Sequence, residues 1–372
     1  MKRRSFLGSL AAAASAVWPA RAKAADAPAP DAPTTAPPLR MHVGCQRGPT
    51  TPAMLDYFKR HGVDHICGYP PDPGDGHWSV DDLKRTKDLR SEHGVSLDMV
   101  ALPFLTSSHI DRERRGSIML AEDPPRQRDI EDIQRMIAAC AAAEIPAFKY
   151  NMSLLGVLRT EDTPGRGGSR LSTWKLAAAK NADRLTRAGR VSEDAAWERI
   201  TYFLDQVIPV CNEYKIRAAC HPHDPGTPPG GFQGITNVLG TVAGLRKFVT
   251  IRESPFHGLN FCVGTVGEML HDPRREIAPI VREFGERGKI FNIHYRNIRG
   301  RRDDFCETCP DDGDMDMVEV ARTLADVGYP YMVMPDHMPH HADDPDSLQA
   351  FAFAYGYIKG VLQALEVSRR RA

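Results

Sequence analysis

Eight short apolar runs alternate with helical patterns along this chain, and that alternation constrains the fold more than any other feature. The runs are Met41–Gln46, His65–Tyr69, Ser96–Leu102, Ala147–Asn151, Arg217–His221, Leu259–Val263, Ile290–His294 and Tyr331–Pro335. Short, mostly apolar runs are what strands buried on both faces of a parallel sheet require. Between them, apolar residues recur at three- and four-residue spacing, most clearly over Pro52–His61, Asp81–His93, Asp129–Ala143, Asp194–Tyr214, Pro273–Arg287 and Met317–Val327. Gly62, Gly94, Gly288 and Gly328 follow four of these segments, where a left-handed cap favours glycine. Eight such units in roughly 330 residues predict a single (β/α)8 TIM barrel, typically about 250 residues plus insertions. A doubly wound open sheet is the alternative, but no G-x-G-x-x-G follows the first strand.

The last four runs each turn polar at a residue that can bind metal: His221 in AACHPHD, Cys262 in LNFCVG, His294 in FNIHYRN and Asp336 in VMPDHM. Two imidazoles, a thiolate and a carboxylate can hold one divalent ion. At the C-terminal ends of strands five to eight they would converge, and barrel chemistry occurs on that face. A closed structural zinc site uses four Cys or His ligands at close spacing. These ligands are spread from position 221 to 336 and include a carboxylate, which fits a catalytic site with room for substrate oxygens. The mixed donor set admits Mn, Fe, Co or Zn. Singly, each residue has an ordinary explanation: packing for a strand histidine, burial for Cys262, helix capping for Asp336. Their joint placement at four successive strand ends does not.

Neighbouring residues extend the site. His223 follows His221 by two positions, and Arg296 and Asn297 follow His294. An arginine fork can take a carboxylate, and Asn297 can take hydroxyls. Gly313-Asp314-Met315-Asp316 places two carboxylates at a helix start, where capping accounts for one. His337 is the candidate general acid/base, since imidazole titrates near neutral pH. The tract His337–His341 can also be read as a surface metal-binding turn. The long segment from Thr160 to Ser192 carries Arg166, Arg170, Lys175, Lys180, Arg184, Arg187 and Arg190. On the catalytic face it would be a basic lid over an anionic substrate, or else a solvated insertion. A second irregular loop, His223–Thr236, follows the fifth strand.

The N-terminus reads as an address. Arg3-Arg4-Ser5-Phe6-Leu7, an Ala-rich apolar stretch and Ala22-Lys23-Ala24 predict a twin-arginine signal peptide over 1–24, with export to the periplasm or beyond. The apolar stretch is too short to span a membrane. Residues 25–38 are an Ala/Pro-rich tether expected to be disordered, and the catalytic domain occupies 39–372. Lys plus Arg and Asp plus Glu are 48 each, a balance that argues against a general nucleic-acid binder. Eight cysteines permit disulfides in an oxidising compartment without assigning pairs. Cys306 and Cys309 form a lone C-x-x-C, read as a local disulfide or two free thiols.

The chain resembles the mannonate dehydratase family, metal-dependent TIM barrels related to the xylose isomerase-like epimerases. The resemblance rests on Tyr150-Asn151-Met152, on Ala219 through Gly226, on Gly258 through Gly264, on His294-Tyr295-Arg296-Asn297, on Phe305 with Glu307, on Gly313 through Met317, on Pro335-Asp336-His337 and on Lys359-Gly360. It implies that His221, Cys262, His294 and Asp336 bind the metal, usually Mn2+ or Fe2+, and that His337 is catalytic. It also implies a sugar-acid substrate, dehydrated to a 2-keto-3-deoxy acid. Asn151, His223, Arg296, Asn297 and Asp314 are the candidate substrate-binding residues. Tyr355 is the second catalytic candidate, because the family tyrosine falls near Phe351-Ala352 and Tyr355 and Tyr357 lie close by. The chain departs from the family pattern at Pro310, where a histidine is usual, and at Leu102-Pro103-Phe104-Leu105. A metal-dependent isomerase or epimerase is the second reading, and a non-catalytic sugar-acid-binding protein the third. The sequence leaves a homo-oligomer open.

Overall fold

A computed structural model describes residues 38–371. The expected targeting segment, and all but the last residue of the expected tether, lie outside the described residues. The eight strands are β1 His42–Cys45, β2 His65–Gly68, β3 Ser96–Ala101, β4 Ala147–Asn151, β5 Arg217–His221, β6 His257–Cys262, β7 Ile290–His294 and β8 Met332–Met334. Each pairs in parallel with the next, and β8 closes on β1. The fold is the single (β/α)8 barrel that the alternation predicts.

Alternation with period two sends one set of side chains inward. Cys67, Met99, Ala101, Ala147, Ala219, Phe291, Met332 and Met334 fill the barrel, small residues facing large ones. The outward set packs against the helices in one large core that includes Leu55, Phe58, Ile133, Phe203, Leu245, Phe284 and Leu324. The helices start where the sequence supplies caps: Ser79 closes a capping box with Asp82, and Ser192, Asp272 and Asp316 accept backbone N–H groups of their first turns. Gly62, Gly94, Gly288 and Gly328 all have positive φ.

Several elements carry no strong local signal. Val263–Gly267 forms a short helix directly after β6, with Cys262 as its cap. Two glycines disfavour helix there, but a Cβ on Gly264 would sit 2.3 Å from the Arg296 Nε. Helices Val242–Phe248 and Leu348–Arg371, and a hairpin of Asn297–Arg301 with Asp304–Thr308, complete the fold. The long basic loop is tied down. Its strand Thr173–Lys175 pairs with Asp304–Cys306, and Arg170 bridges to His340. The eight cysteines are free, Cys306 and Cys309 included. Among the described residues no helix is long and apolar enough to cross a membrane.

Candidate metal centre

The barrel register sets the four candidate ligands at one level. Asn151 of β4 pairs with His221 of β5, Cys262 of β6 with His294 of β7, and His294 with Met334 of β8, so Asp336 lies just beyond. One ligand atom from each of His221, Cys262, His294 and Asp336 lies within 4.8 Å of the others. The two imidazole centroids are 5.1 Å apart.

Hydrogen bonds select the His221 tautomer. His221 donates Nδ1–H to the Pro222 carbonyl at 2.7 Å, which leaves a lone pair on Nε2. Gln46 donates its amide to the Tyr69 hydroxyl at 2.8 Å, and so turns Oε1 toward His294 Nε2 at 3.3 Å. Asn260, its Oδ1 taken by Asn292, turns its amide N–H toward the same Nε2 at 3.2 Å, so these contacts do not fix the His294 tautomer; the ring's Nδ1 faces Asp336 Oδ1 at 3.3 Å with no hydrogen-bond partner. Burial keeps both rings neutral, pushing His221 down to about 3, with His294 adding to that shift. Burial opposes ionisation of Asp336, yet His337 and His294 hold its carboxylate well below the usual range. A cation between the buried, unpartnered Nδ1 of His294 and the Asp336 carboxylate would satisfy both. Cys262 Sγ accepts the Thr265 N–H at 3.4 Å and lies 3.5 Å from Asp336 Oδ2. Burial pushes its thiol up, a shift that a bound ion would reverse. The residues present thus fit a divalent ion.

A cavity of 270 Å³ opens onto this centre, lined by Gln46, Tyr69, Lys149, Asn151, Ser153, His221, His294, Asp336 and His337 among others. Lys149 is the one lysine or arginine that lines it among the described residues. Burial lowers the Lys149 ammonium from its ordinary value. Burial pushes the Tyr69 phenol up, and its oxygen already accepts from Gln46, so its own proton is free for the cavity.

Behind His337 lies a buried ion cluster. Arg296 donates to Asp224 at 2.9 Å, Glu268 at 2.8 Å and Glu307 at 2.5 Å. Arg159 pairs with Asp224 at 2.6 Å and also with Glu307. His337 Nδ1 is 3.0 Å from both Glu307 oxygens and 2.8 Å from Arg296 Nη1. The ionised Glu307 carboxylate can only accept, so the imidazole donates Nδ1–H to it, and Nε2 is left for the cavity. Burial disfavours charge on the ring, but Asp336 and then Glu307 outweigh it and raise its pKa. Glu307 itself is held low, to about 2, because Arg159 and Arg296 overcome its burial.

Of the residues expected from sequence, the metal quartet, His337 and Asn151 meet around this cavity. Five do not. Arg296 is buried and committed to protein carboxylates, so no fork remains for a substrate. His223 spends Nε2 on the Met152 carbonyl and Nδ1 on the Leu239 N–H. Asn297 staples its own loop through the Pro310 and Met315 carbonyls. Asp314 is exposed in a separate groove and accepts from Gly300 N–H. Tyr355 is buried behind β1, its hydroxyl donating to Cys45 Sγ at 2.8 Å. The arginines and lysines of the basic loop are exposed, none lines the cavity, and Arg166 pairs with Asp311 at 2.6 Å. Lys149, Gln46 and Tyr69 line the cavity without being among the residues expected from sequence. Lys149 had a readable signal, a charge two residues before Asn151 on the inward face of an apolar strand.

Comparisons with known proteins agree with this fold. The family model described as D-mannonate dehydratase (UxuA) matches residues 169–372. A mannonate dehydratase of Endomicrobium trichonymphae is 37% identical over 330 residues, 79% of this chain and 86% of that protein. One from Thermotoga petrophila is 25% identical over 83% of this chain and 93% of its own. The crystal structure of mannonate dehydratase from Streptococcus suis serotype 2 superposes with a TM-score of 0.76 at 22% identity, covering 89% of this chain and 95% of that one. A D-tagatose 3-epimerase-like protein shares the barrel at a TM-score of 0.54 and 14% identity, covering 88% of this chain and 99% of its own. With a family model matching over half the chain and a relative aligned along most of both lengths, this chain belongs to the mannonate dehydratase family.

Proposed function

We propose that the chain is a hydro-lyase that converts mannonate to a 2-keto-3-deoxy sugar acid. The carrying observation is one cavity that brings together a metal-ligand quartet, a single lysine and a carboxylate-anchored histidine. The reaction breaks the C2–H and C3–OH bonds; the resulting enol tautomerises to the ketone and one water leaves. A divalent ion held by His221, Cys262, His294 and Asp336 would acidify the C2 proton by drawing charge from the carboxylate and the C2 hydroxyl. The mixed donor set admits Mn, Fe, Co or Zn, and the family resemblance favours Mn2+ or Fe2+ among them.

The chain's own residues supply the rest. Lys149 places an ammonium in the cavity for the substrate carboxylate, a charge-assisted contact worth about 1.5–3 kcal/mol. Tyr69 donates its free proton, and Asn151 and Ser153 bind hydroxyls of the sugar chain. His337 moves a proton at Nε2 while Glu307 fixes Nδ1–H. The twin-arginine sequence at Arg3-Arg4 supports action outside the cytoplasm.

The test is mass spectrometry of products from Mn2+-loaded protein with a panel of hexonates. A product lighter by one water is expected from mannonate. A product of unchanged mass would overturn the reading in favour of isomerisation, and no product from any sugar acid would overturn it outright.

A further inference from the structure

We propose a second divalent-cation site at the opposite mouth of the barrel, formed by His42, His65 and Asp98 and suited to a borderline ion such as Zn2+. His42 and His65 are the first residues of β1 and β2, and Asp98 is the third residue of β3. Because all eight strands run in parallel, these residues sit at the N-terminal end, away from the catalytic cavity.

The geometry is that of a nitrogen–nitrogen–oxygen triad. His42 Nε2 lies 3.2 Å and His65 Nδ1 2.8 Å from the same oxygen, Asp98 Oδ2. The ring centroids are 3.7 Å apart, and one ligand atom from each residue lies within 4.8 Å of the others. Other histidines of the chain face a carboxylate alone, as His77 faces Asp132 and His93 faces Asp56. Among the described residues, two imidazoles converge on one carboxylate oxygen elsewhere only at Asp336, in the catalytic centre.

Three further features prepare the triad. His42 Nδ1 and Nε2 lie equally far, 3.2 Å, from the Arg40 carbonyl and from Asp98 Oδ2, so the carbonyl can take the ring proton when Nε2 serves as a ligand. Ser96 Oγ donates to Asp98 Oδ1 at 2.5 Å, which orients the carboxylate and leaves Oδ2 for the histidines. The β2–β3 register slips at this point. Ile66 pairs with Leu97 and Cys67 with Met99, so Asp98 is the extra residue of a bulge, a device that re-aims a side chain at a barrel rim. The side chains of His42, His65 and Asp98 are 29%, 34% and 24% exposed, which leaves room for water to complete the coordination. A shallow cavity of 240 Å³ opens beside both histidines, against Lys359 and Gln363. Two imidazoles and one carboxylate with open positions suit Zn2+, Co2+ or Ni2+ better than Mg2+ or Ca2+.

The experiment is equilibrium dialysis of the full chain, stripped with a chelator and titrated with Zn2+. Wild type should retain two ions per chain, and Asp98→Asn and His42→Gln one each. Equal zinc in wild type and both folded variants overturns the proposal. If either variant fails to fold by circular dichroism, the other decides. Should both fail, Zn2+ must shift the His42 and His65 imidazole resonances of wild type, and unmoved resonances overturn it.

Discussion

Glu307 anchors His337 from beneath: both carboxylate oxygens lie 3.0 Å from the imidazole Nδ1. The same carboxylate takes Arg159 and Arg296, so one buried side chain joins the proton-moving ring to the ion cluster. Glu307→Gln keeps the shape and removes the charge that fixes the tautomer. Steady-state kinetics on mannonate should show kcat reduced about 10–100-fold, the usual cost of losing an orienting partner, with KM changed less. A kcat within twofold of wild type would show that His337 needs no such anchor.

Lys149→Met exchanges the ammonium of the cavity for an apolar chain of similar length. KM should rise about 10–100-fold, matching loss of a charge-assisted contact of roughly 1.5–3 kcal/mol, with kcat largely kept. An unchanged KM would remove Lys149 from substrate binding and leave the dehydratase reading intact.

Cys262→Ala deletes one of the four ligands while retaining a small buried apolar residue. Metal analysis should show the catalytic ion lost or bound at least about tenfold more weakly, and activity should fall with it. Undiminished metal with undiminished activity would place the ion elsewhere.

Tyr355→Phe removes only the hydroxyl that donates to Cys45 Sγ. Since the ring lies behind β1 and outside the cavity lining, kcat and KM should match wild type, with at most about 1 kcal/mol of stability lost. A large loss of kcat would bring Tyr355 back into the chemistry.

His257 gives the fold a pH dependence of its own. The ring is fully buried against Phe248, with centroids 4.6 Å apart. Burial, with Lys289 adding to it, pushes the imidazole down from 6.5 to about 3. Between those values the unfolded chain binds a proton that the folded chain refuses. Stability therefore falls as pH drops below about 6.5, by up to about 1.4 kcal/mol per pH unit. His257→Leu should flatten that slope in thermal unfolding curves, since the other histidines contribute equally to both proteins. Parallel slopes for the two proteins would refute this.

The barrel was legible because burial on both faces leaves a local trace in each strand, and because glycine marks the helix ends. The quartet was legible for the same reason: each ligand ends an apolar run. The substrate face was less legible. Arg296 and Asn297 follow a ligand in sequence, yet the chain turns after β7 and carries both away from the cavity into contacts with Glu307, Asp224 and the Pro310 carbonyl. Tyr355 lies near the expected tyrosine position in sequence, but the C-terminal helix presents it to Cys45 of β1.

The sequence by itself determined the strand and helix periodicity, the barrel and the four residues that end strands five to eight, since these depend on local alternation and residue chemistry. Tertiary structure alone decided which charges are spent within the protein and which remain for a ligand. Arg296 and Lys149 are both cations near the barrel mouth, and only the carboxylates that packing brings around Arg296 leave Lys149 facing the cavity. Pairing of that kind depends on distances between residues remote in the chain, which local pattern does not encode.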